Sequence, residues 1–484
     1  MLNRRDFLKA AATAALAPAS CVTVPRDAER GVLVNDIHSQ LNATRVAAVR
    51  SPRSMNELQE IVRGAREICV AGGRHAMGGQ QFAGNSTLVD MNAMNRVIGL
   101  DSARGVIDIE AGVQWPELVA FLAASGSGWG IRQKQTGADR LTIGGALAAN
   151  AHGRGLKMKP IASDIEAFTL ITADGSATEC SRTSNRELFA LAIGGYGLFG
   201  VVSSIRLRLS RRQKVERVVE IRDMDEIISA FDRRIADGFL YGDFQFSINE
   251  KSPNFLRRGV FSCYRPVDDA TPMTAGRELQ AGDWGKLLLL AHADKERAYE
   301  EYTRFYLSTS GQIYWSDEHQ LSVYLDDYHR EIDKLLQAKT RATEMITEIY
   351  VPRERLPDFM AAAADDLQRN AVSVVYGTVR LIERDDESFL AWAKQRYACV
   401  IFNLHTEHSP EGLEHSANAF RRLIDLAIER DGSYFLTYHR WARREQVERC
   451  YPQFAEFLRK KREHDPRERF QSDWYRHYRT MFGA

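Results

Sequence analysis

Ten residues, Val70-Ala-Gly-Gly-Arg-His-Ala-Met-Gly-Gly79, constrain this chain more than any other stretch. An apolar run over 68–71 drives directly into four glycines and one histidine, the pattern of a buried strand ending in a loop that approaches something closely. Without a Cβ, glycine lets backbone N–H groups converge on ligand oxygens. Gly72, Gly73, Gly78 and Gly79 suit that task, and His75 is the one side chain among them able to attack or ligate. Taken alone, the stretch could equally be a glycine-rich turn with an incidental histidine.

Two later stretches repeat the theme. Thr136 to Gly155 carries Leu141-Thr-Ile-Gly-Gly145 and Ala151-His-Gly153, and Gly194-Gly-Tyr-Gly-Leu-Phe-Gly200 runs into Val201 to Leu209. In that last run Val201, Ser203, Ile205, Leu207 and Leu209 alternate onto one strand face. Between the loops, short runs over 87–90, 96–100 and 105–111 read as strands joined by tight turns. Pro116 suits the first turn of a helix carrying Leu118, Val119 and Leu122. Asp174-Gly175 between two strand-like runs signals a hairpin, and Ser184-Asn-Arg-Glu187 has the form of a capping box. Three glycine-rich loops on one α+β scaffold point to a long ligand lying across several backbone turns. None of them is the GxGxxG or GxxxxGK[ST] fingerprint of a nicotinamide or ATP site.

Together, Gly72-Gly-Arg-His75-Ala-Met-Gly-Gly79, Leu141 to Gly145 with Ala151-His-Gly153, and Gly194 to Gly200 resemble the FAD-binding domain of the vanillyl-alcohol oxidase/p-cresol methylhydroxylase family. The resemblance implies FAD, with the first loop around its pyrophosphate and, in many members, a histidine at the place of His75 bonded to the flavin 8α-methyl. Arg74 stands where a glycine often does. No cysteine lies within 132–141 to supply a second linkage. Carried over residue by residue, the cofactor set is Gly72, Gly73, Arg74, His75, Ala76, Met77, Gly78, Thr136, Thr142, Gly144, Gly145, Asn150, His152, Gly153, Gly200 and Val201. For His152 a packed core histidine is the competing reading.

Past Arg211-Arg212 and Lys214, read as a solvated linker face, alternating strands over 240–248, 259–264, 346–351, 372–382 and 397–405 are separated by amphipathic helices over 356–368 and 410–429. The stretch around 268–282 reads as a loop or mobile insertion. The expected architecture is therefore α+β: a two-subdomain FAD-binding domain over 31–210, a substrate cap on an antiparallel sheet over 211–430, and a return to the FAD domain over 431–484. Tyr376, Thr378 and Arg380 share one face of a cap strand, as do Asn403 and His405 of another. The cap and tail resemble the sugar-lactone and alditol oxidase branch, where a Glu-x-Arg pair contacts substrate. Here Thr378-Val379-Arg380 keeps only the arginine, whereas Tyr438-His-Arg-Trp441, Tyr451-Pro-Gln-Phe454, Asp465-Pro466 and Phe470 match the branch's closing segment.

The function so implied is oxidation of a C–OH group of a small polar substrate by hydride transfer to flavin, with oxygen or another electron acceptor closing the cycle. A base of suitable pKa favours histidine, making His405 and His439 the candidates, with Arg380 holding a substrate oxygen. Two alternatives stand beside it. One is an amine or C–H dehydrogenase of cytokinin-dehydrogenase type, for which Asp164 or Glu348 would be the acidic base; the other is a flavin electron-transfer module, disfavoured by a cap of such length. A net charge of +1 over 484 residues argues against a nucleic-acid partner. The six cysteines show neither metal nor disulfide spacing, and no metal site is expected. Asn3-Arg-Arg-Asp-Phe-Leu-Lys9 before the run 10–17 resembles a twin-arginine signal for export to the periplasm, too short to remain as a membrane span. Lipid attachment at Cys21 is the less favoured alternative. Arg459 to Arg462 reads as a solvated helix face.

Overall fold

A computed structural model describes residues 31–274, 276–322, 325 and 327–483. The arginine pair and Cys21 of the expected export segment lie outside the described residues, and among those described no helix is long and apolar enough to cross a membrane. From Val32 onward the chain forms one compact unit.

Its cofactor-binding half is built on two sheets. Ala48–Arg50, Thr87–Asp90 and Ile68–Ala71 form a parallel sheet, and Ala177–Ser181, Ile165–Ile171, Val201–Arg208, Val106–Glu110 and Val97–Asp101 form an antiparallel one in that spatial order. The alternation in Val201–Arg208 is realised: Val201, Ser203, Ile205 and Leu207 are buried while their neighbours are partly open. The hairpin at Asp174-Gly175 joins two paired strands. The expected capping box at Ser184 does not form. Asn185 occupies the cap position of Arg186–Ala192 in the left-handed region and makes no side-chain cap bond, because its amide is drawn to the Glu179 carbonyl instead. At the other end of the chain, Ile68 donates to Arg469 and accepts from Gln471, so the C-terminal segment docks onto the parallel sheet.

The cap is an eight-stranded sheet in the order Ile313–Trp315, Lys214–Asp223, Arg258–Pro266, Tyr241–Phe246, Val374–Ile382, Tyr397–Glu407, Ala342–Pro352, Ser433–Tyr434. All its recorded pairings are antiparallel. One face is covered by the helices Leu356–Arg369 and Pro410–Ile428, which bury Phe359, Leu367, Phe420 and Leu423. Each such side chain contributes about 1.5–3 kcal/mol. Ser409 starts the second of these helices by accepting from Gly412 N–H, with Pro410 in its first turn.

The basic cluster read as a linker is structural. Arg212 bonds both carboxylate oxygens of Asp317, and Lys214 opens a ten-residue strand that lies second from one edge of the sheet. A strand carrying alternating charges looked like solvated surface because one of its faces serves a polar interior. The 268–282 loop leads into two helices that sequence periodicity did not resolve, Ala281–Ala293 and Lys295–Ser308. Lys461, expected on a solvated face, is fully buried and bonded to Asp465 at 2.5 Å. The five described cysteines are buried and unbridged.

Candidate cofactor and substrate site

The three glycine loops converge because small residues let their backbones touch. A Cβ on Gly72 would lie 2.0 Å from Thr142 Oγ1, and one on Gly73 would lie 2.3 Å from the Arg140 carbonyl oxygen, so the first loop can rest on the second only without side chains. Thr142 in turn caps Ile143–Ala149 by accepting from Gly145 N–H. The third loop lies against that helix, with Gly194 and Tyr196 N–H donating to the carbonyls of Leu147 and Ala148. Arg74 adopts φ 59°, the left-handed region where glycine is favoured, and its guanidinium is tied to Asp90 at 3.2 Å.

Together the loops wall a cavity of about 910 Å³ whose other side is the uncovered face of the cap sheet. That volume is at the upper end of ligand pockets. Gly72, Gly73, Arg74, His75, Ala76, Thr136, Thr142, Gly144, Gly145 and Gly200 line it, as does Arg380. Met77, Gly78, Asn150, His152, Gly153 and Val201 stand behind the lining. Asn42 donates to the Met77 carbonyl, and Asn150 bonds Asp385 and Ser388.

His75 is buried, with Nδ1 at 2.8 Å from Nε2 of His38, a partner supplied by a loop that sequence patterning left unassigned. Burial, followed by the neighbouring His38, holds His75 well below the usual histidine range, so the ring is neutral and nucleophilic near pH 7. Cofactor chemistry fits here. The glycine cradle is closed to any side chain, and a neutral imidazole faces the same cavity.

Neither expected base reaches the cavity lining. His439 is packed among Phe420, Trp441 and Tyr434, with ring centroids 4.3, 5.6 and 6.0 Å away, and Nδ1 accepts from Trp441 N–H. Burial and then Arg421 push its pKa down to about 3. His405 lies against His292 at 5.4 Å, outside the lining. Both are corrections with one cause. A β-strand or return segment shows which residues alternate, but not which neighbour covers each face.

Polar groups of other origin meet at the cavity wall. Glu348, on the cap strand 342–352, accepts from Tyr350 (2.8 Å) and Tyr438 (2.9 Å) and pairs with His152 Nε2 at 2.9 Å, while His152 Nδ1 faces the Gly153 carbonyl at 3.0 Å. Both ring nitrogens of His152 thus meet acceptors, one of them the buried carboxylate of Glu348. Burial by itself would raise the Glu348 pKa. The charge and hydrogen bond of His152, the Tyr350 hydroxyl and the charge of Arg380 outweigh it and bring the group to about 2. Asp164, the other acid considered, is engaged by Arg132 and Gln133 away from the lining. The Cys399 thiol lies 3.8 Å from both Glu348 and His152, but burial holds it protonated. Arg380, only 3% exposed, has Nε and Nη1 buried without a hydrogen-bond partner.

Residues 46–181 match the family model for an FAD binding domain. Over 189 residues the chain is 28% identical to L-gulonolactone oxidase of Bos taurus, covering 38% of this chain and 42% of that protein. It is 28% identical over 144 residues to the mitochondrial L-galactono-1,4-lactone dehydrogenase 1 of Oryza sativa subsp. japonica, which is 29% of this chain and 24% of that one. Similarity to L-gulono-1,4-lactone dehydrogenase of Mycobacterium tuberculosis is 23% over 444 residues, 89% of this chain and 95% of that protein. The chain therefore matches less than half the length of the bovine and rice relatives, whereas the mycobacterial likeness includes the cap. Over residues 46–181 the chain thus carries an FAD binding domain, and the three relatives above are named lactone oxidases or dehydrogenases.

Proposed function

We propose that the protein is an FAD-dependent oxidoreductase that oxidises a C–OH group of a small polar substrate of the sugar-lactone or alditol kind. The observation that carries this reading is Arg380, a buried guanidinium with unpartnered N–H groups, facing the same cavity as the glycine cradle. Bound FAD supplies the hydride acceptor. The protein supplies the charge. A guanidinium cannot lose its proton, so Arg380 would hold the substrate oxygen and favour negative charge developing on it.

Glu348, held near 2, is too weak a base to take that proton efficiently. Its role is positioning. It fixes the Tyr438 phenol, whose proton is committed to the carboxylate and whose oxygen accepts from Gln135 Nε2 at 3.2 Å on the cavity wall. In this reading His75 tethers the flavin covalently, with His38 holding its ring, and the N-terminal arginine pair directs export to the periplasm.

Anaerobic bleaching of the flavin by lactones, alditols, alcohols and amines tests the reaction class, and admitting oxygen afterwards tests the acceptor. We expect bleaching by carbinols, slowed by about a hundredfold in Arg380→Lys. Bleaching by amines alone would overturn the assignment. A colourless acid-precipitated pellet would remove the covalent tether without touching the reaction class.

A further inference from the structure

At the end of the cavity formed by the 214–223 and 241–266 strands, charge does not balance. Arg154, from the second glycine loop, and Arg217, from the 214–223 strand, straddle one phenol, their Cζ atoms 4.8 and 5.1 Å from the Tyr264 ring centroid. The carboxylate nearest to them is Asp243, 3.8 Å from Arg154 Nη1. Arg217 bonds the hydroxyls of Tyr264 and Thr309 and stacks on Tyr306 and Tyr314, and among the described residues it has no carboxylate within 4 Å. At this end two guanidinium groups, Arg217 buried and Arg154 nearly so, face one carboxylate, while the charge of Arg380 acts on Glu348. Of the other charged groups of the lining, Lys134 pairs with Asp139 at 2.5 Å, Glu348 is bonded to His152, and Glu344 accepts from Asn403 at 3.2 Å and keeps one oxygen without a hydrogen-bond partner.

Donors at this end are unspent as well. Arg154 donates Nη2–H to Nδ1 of His319 at 3.0 Å, which fixes the remaining ring proton on Nε2. That Nε2, Arg154 Nε and the Tyr314 hydroxyl are buried without a partner, and all three residues line the cavity. Unpaired buried cations are costly, and a set of converging donors with surplus positive charge is the complement of an oxyanion.

Resting on the oxidoreductase reading above, we propose that the substrate carries an anionic group, a carboxylate or phosphate, that binds between Arg154 and Arg217 while its reacting carbinol meets Arg380. The two ends are linked by Tyr376, which shares a strand face with Arg380 and accepts from Gln245 on the strand that bears Asp243. The preferred substrate is thus an acid or phosphate ester of a polyol, rather than a neutral lactone.

The test compares glucitol, glucono-lactone, gluconate and glucitol 6-phosphate with the flavin-loaded enzyme, following both the binding-induced change in the flavin spectrum and anaerobic bleaching. One charge-assisted site predicts an advantage of about 10- to 100-fold in kcat/KM for one or both anions. That advantage, read as the ratio of anion to glucitol kcat/KM within each protein, should vanish in Arg217→Gln and Arg154→Gln. Competition by inorganic phosphate against glucitol reads the same site in the unaltered enzyme, so a variant that fails to fold does not decide the matter. Neutral compounds as good as the anions, or no competition by phosphate, would overturn the proposal. Loss of flavin from the variants with no anion preference in the parent would also overturn it, by assigning the arginines to the FAD phosphates. Anions that perturb the spectrum without bleaching it would leave the anion site standing and remove the oxidation reading instead.

Discussion

Replacing Glu348 with glutamine removes one negative charge from a fully buried position where three donors converge. The lowering of its pKa from 4.5 to about 2 corresponds to about 3 kcal/mol of stabilisation at neutral pH, at about 1.4 kcal/mol per unit. That agrees with the 3–5 kcal/mol typical of breaking a buried pair on one side. Because the folded-state pKa is depressed, this stability is present above pH 4.5 and is lost as pH falls toward 2. By the same linkage about 1 kcal/mol of it remains at pH 3. Urea unfolding of the holoenzyme and of Glu348→Gln should therefore show a gap of about 3 kcal/mol at pH 7 that narrows to about 1 at pH 3. A gap under 1 kcal/mol at pH 7, or one that does not change with pH, would refute the assignment of Glu348 as an ionised carboxylate held by these donors.

Two further substitutions separate the cofactor cradle from the packed histidines. Gly72→Ala places a methyl 2.0 Å from Thr142 Oγ1, so the first two loops must part, and the purified variant should hold little flavin by its absorbance-to-protein ratio. His439→Phe puts a ring of similar size among Phe420, Tyr434 and Trp441, and single-turnover flavin reduction should stay within about twofold of the parent, since general-base loss would cost about a hundredfold or more.

His75 and the glycines around it were legible as part of the cavity wall because their chemistry is local. Glycine is required wherever two backbones touch, and the stretches ending at Gly73 and Gly145 announce such contacts by composition alone. Arg380 was legible for a related reason, since period-two alternation places it on the face opposite the apolar core. The hidden part of the site was non-local. Glu348, His152 and Tyr438 come from the cap, the second glycine loop and the return segment, and each looks unremarkable on its own strand or turn. Arg217 was concealed more completely, on the strand Lys214–Asp223, which sequence patterning left unassigned just past the basic cluster read as a linker.

By itself, then, the sequence determined the α+β architecture and the glycine-rich FAD-binding segment with His75 in it, all of which follow from residue type and short-range spacing. Only the tertiary structure decided which polar groups face the cavity, removing His405 and His439 from it and bringing Arg154, Arg217 and Glu348 to it. The physical reason is that alternation reports the two faces of a strand but not what covers them. Whether a buried charge is neutralised depends on partners separated by hundreds of residues.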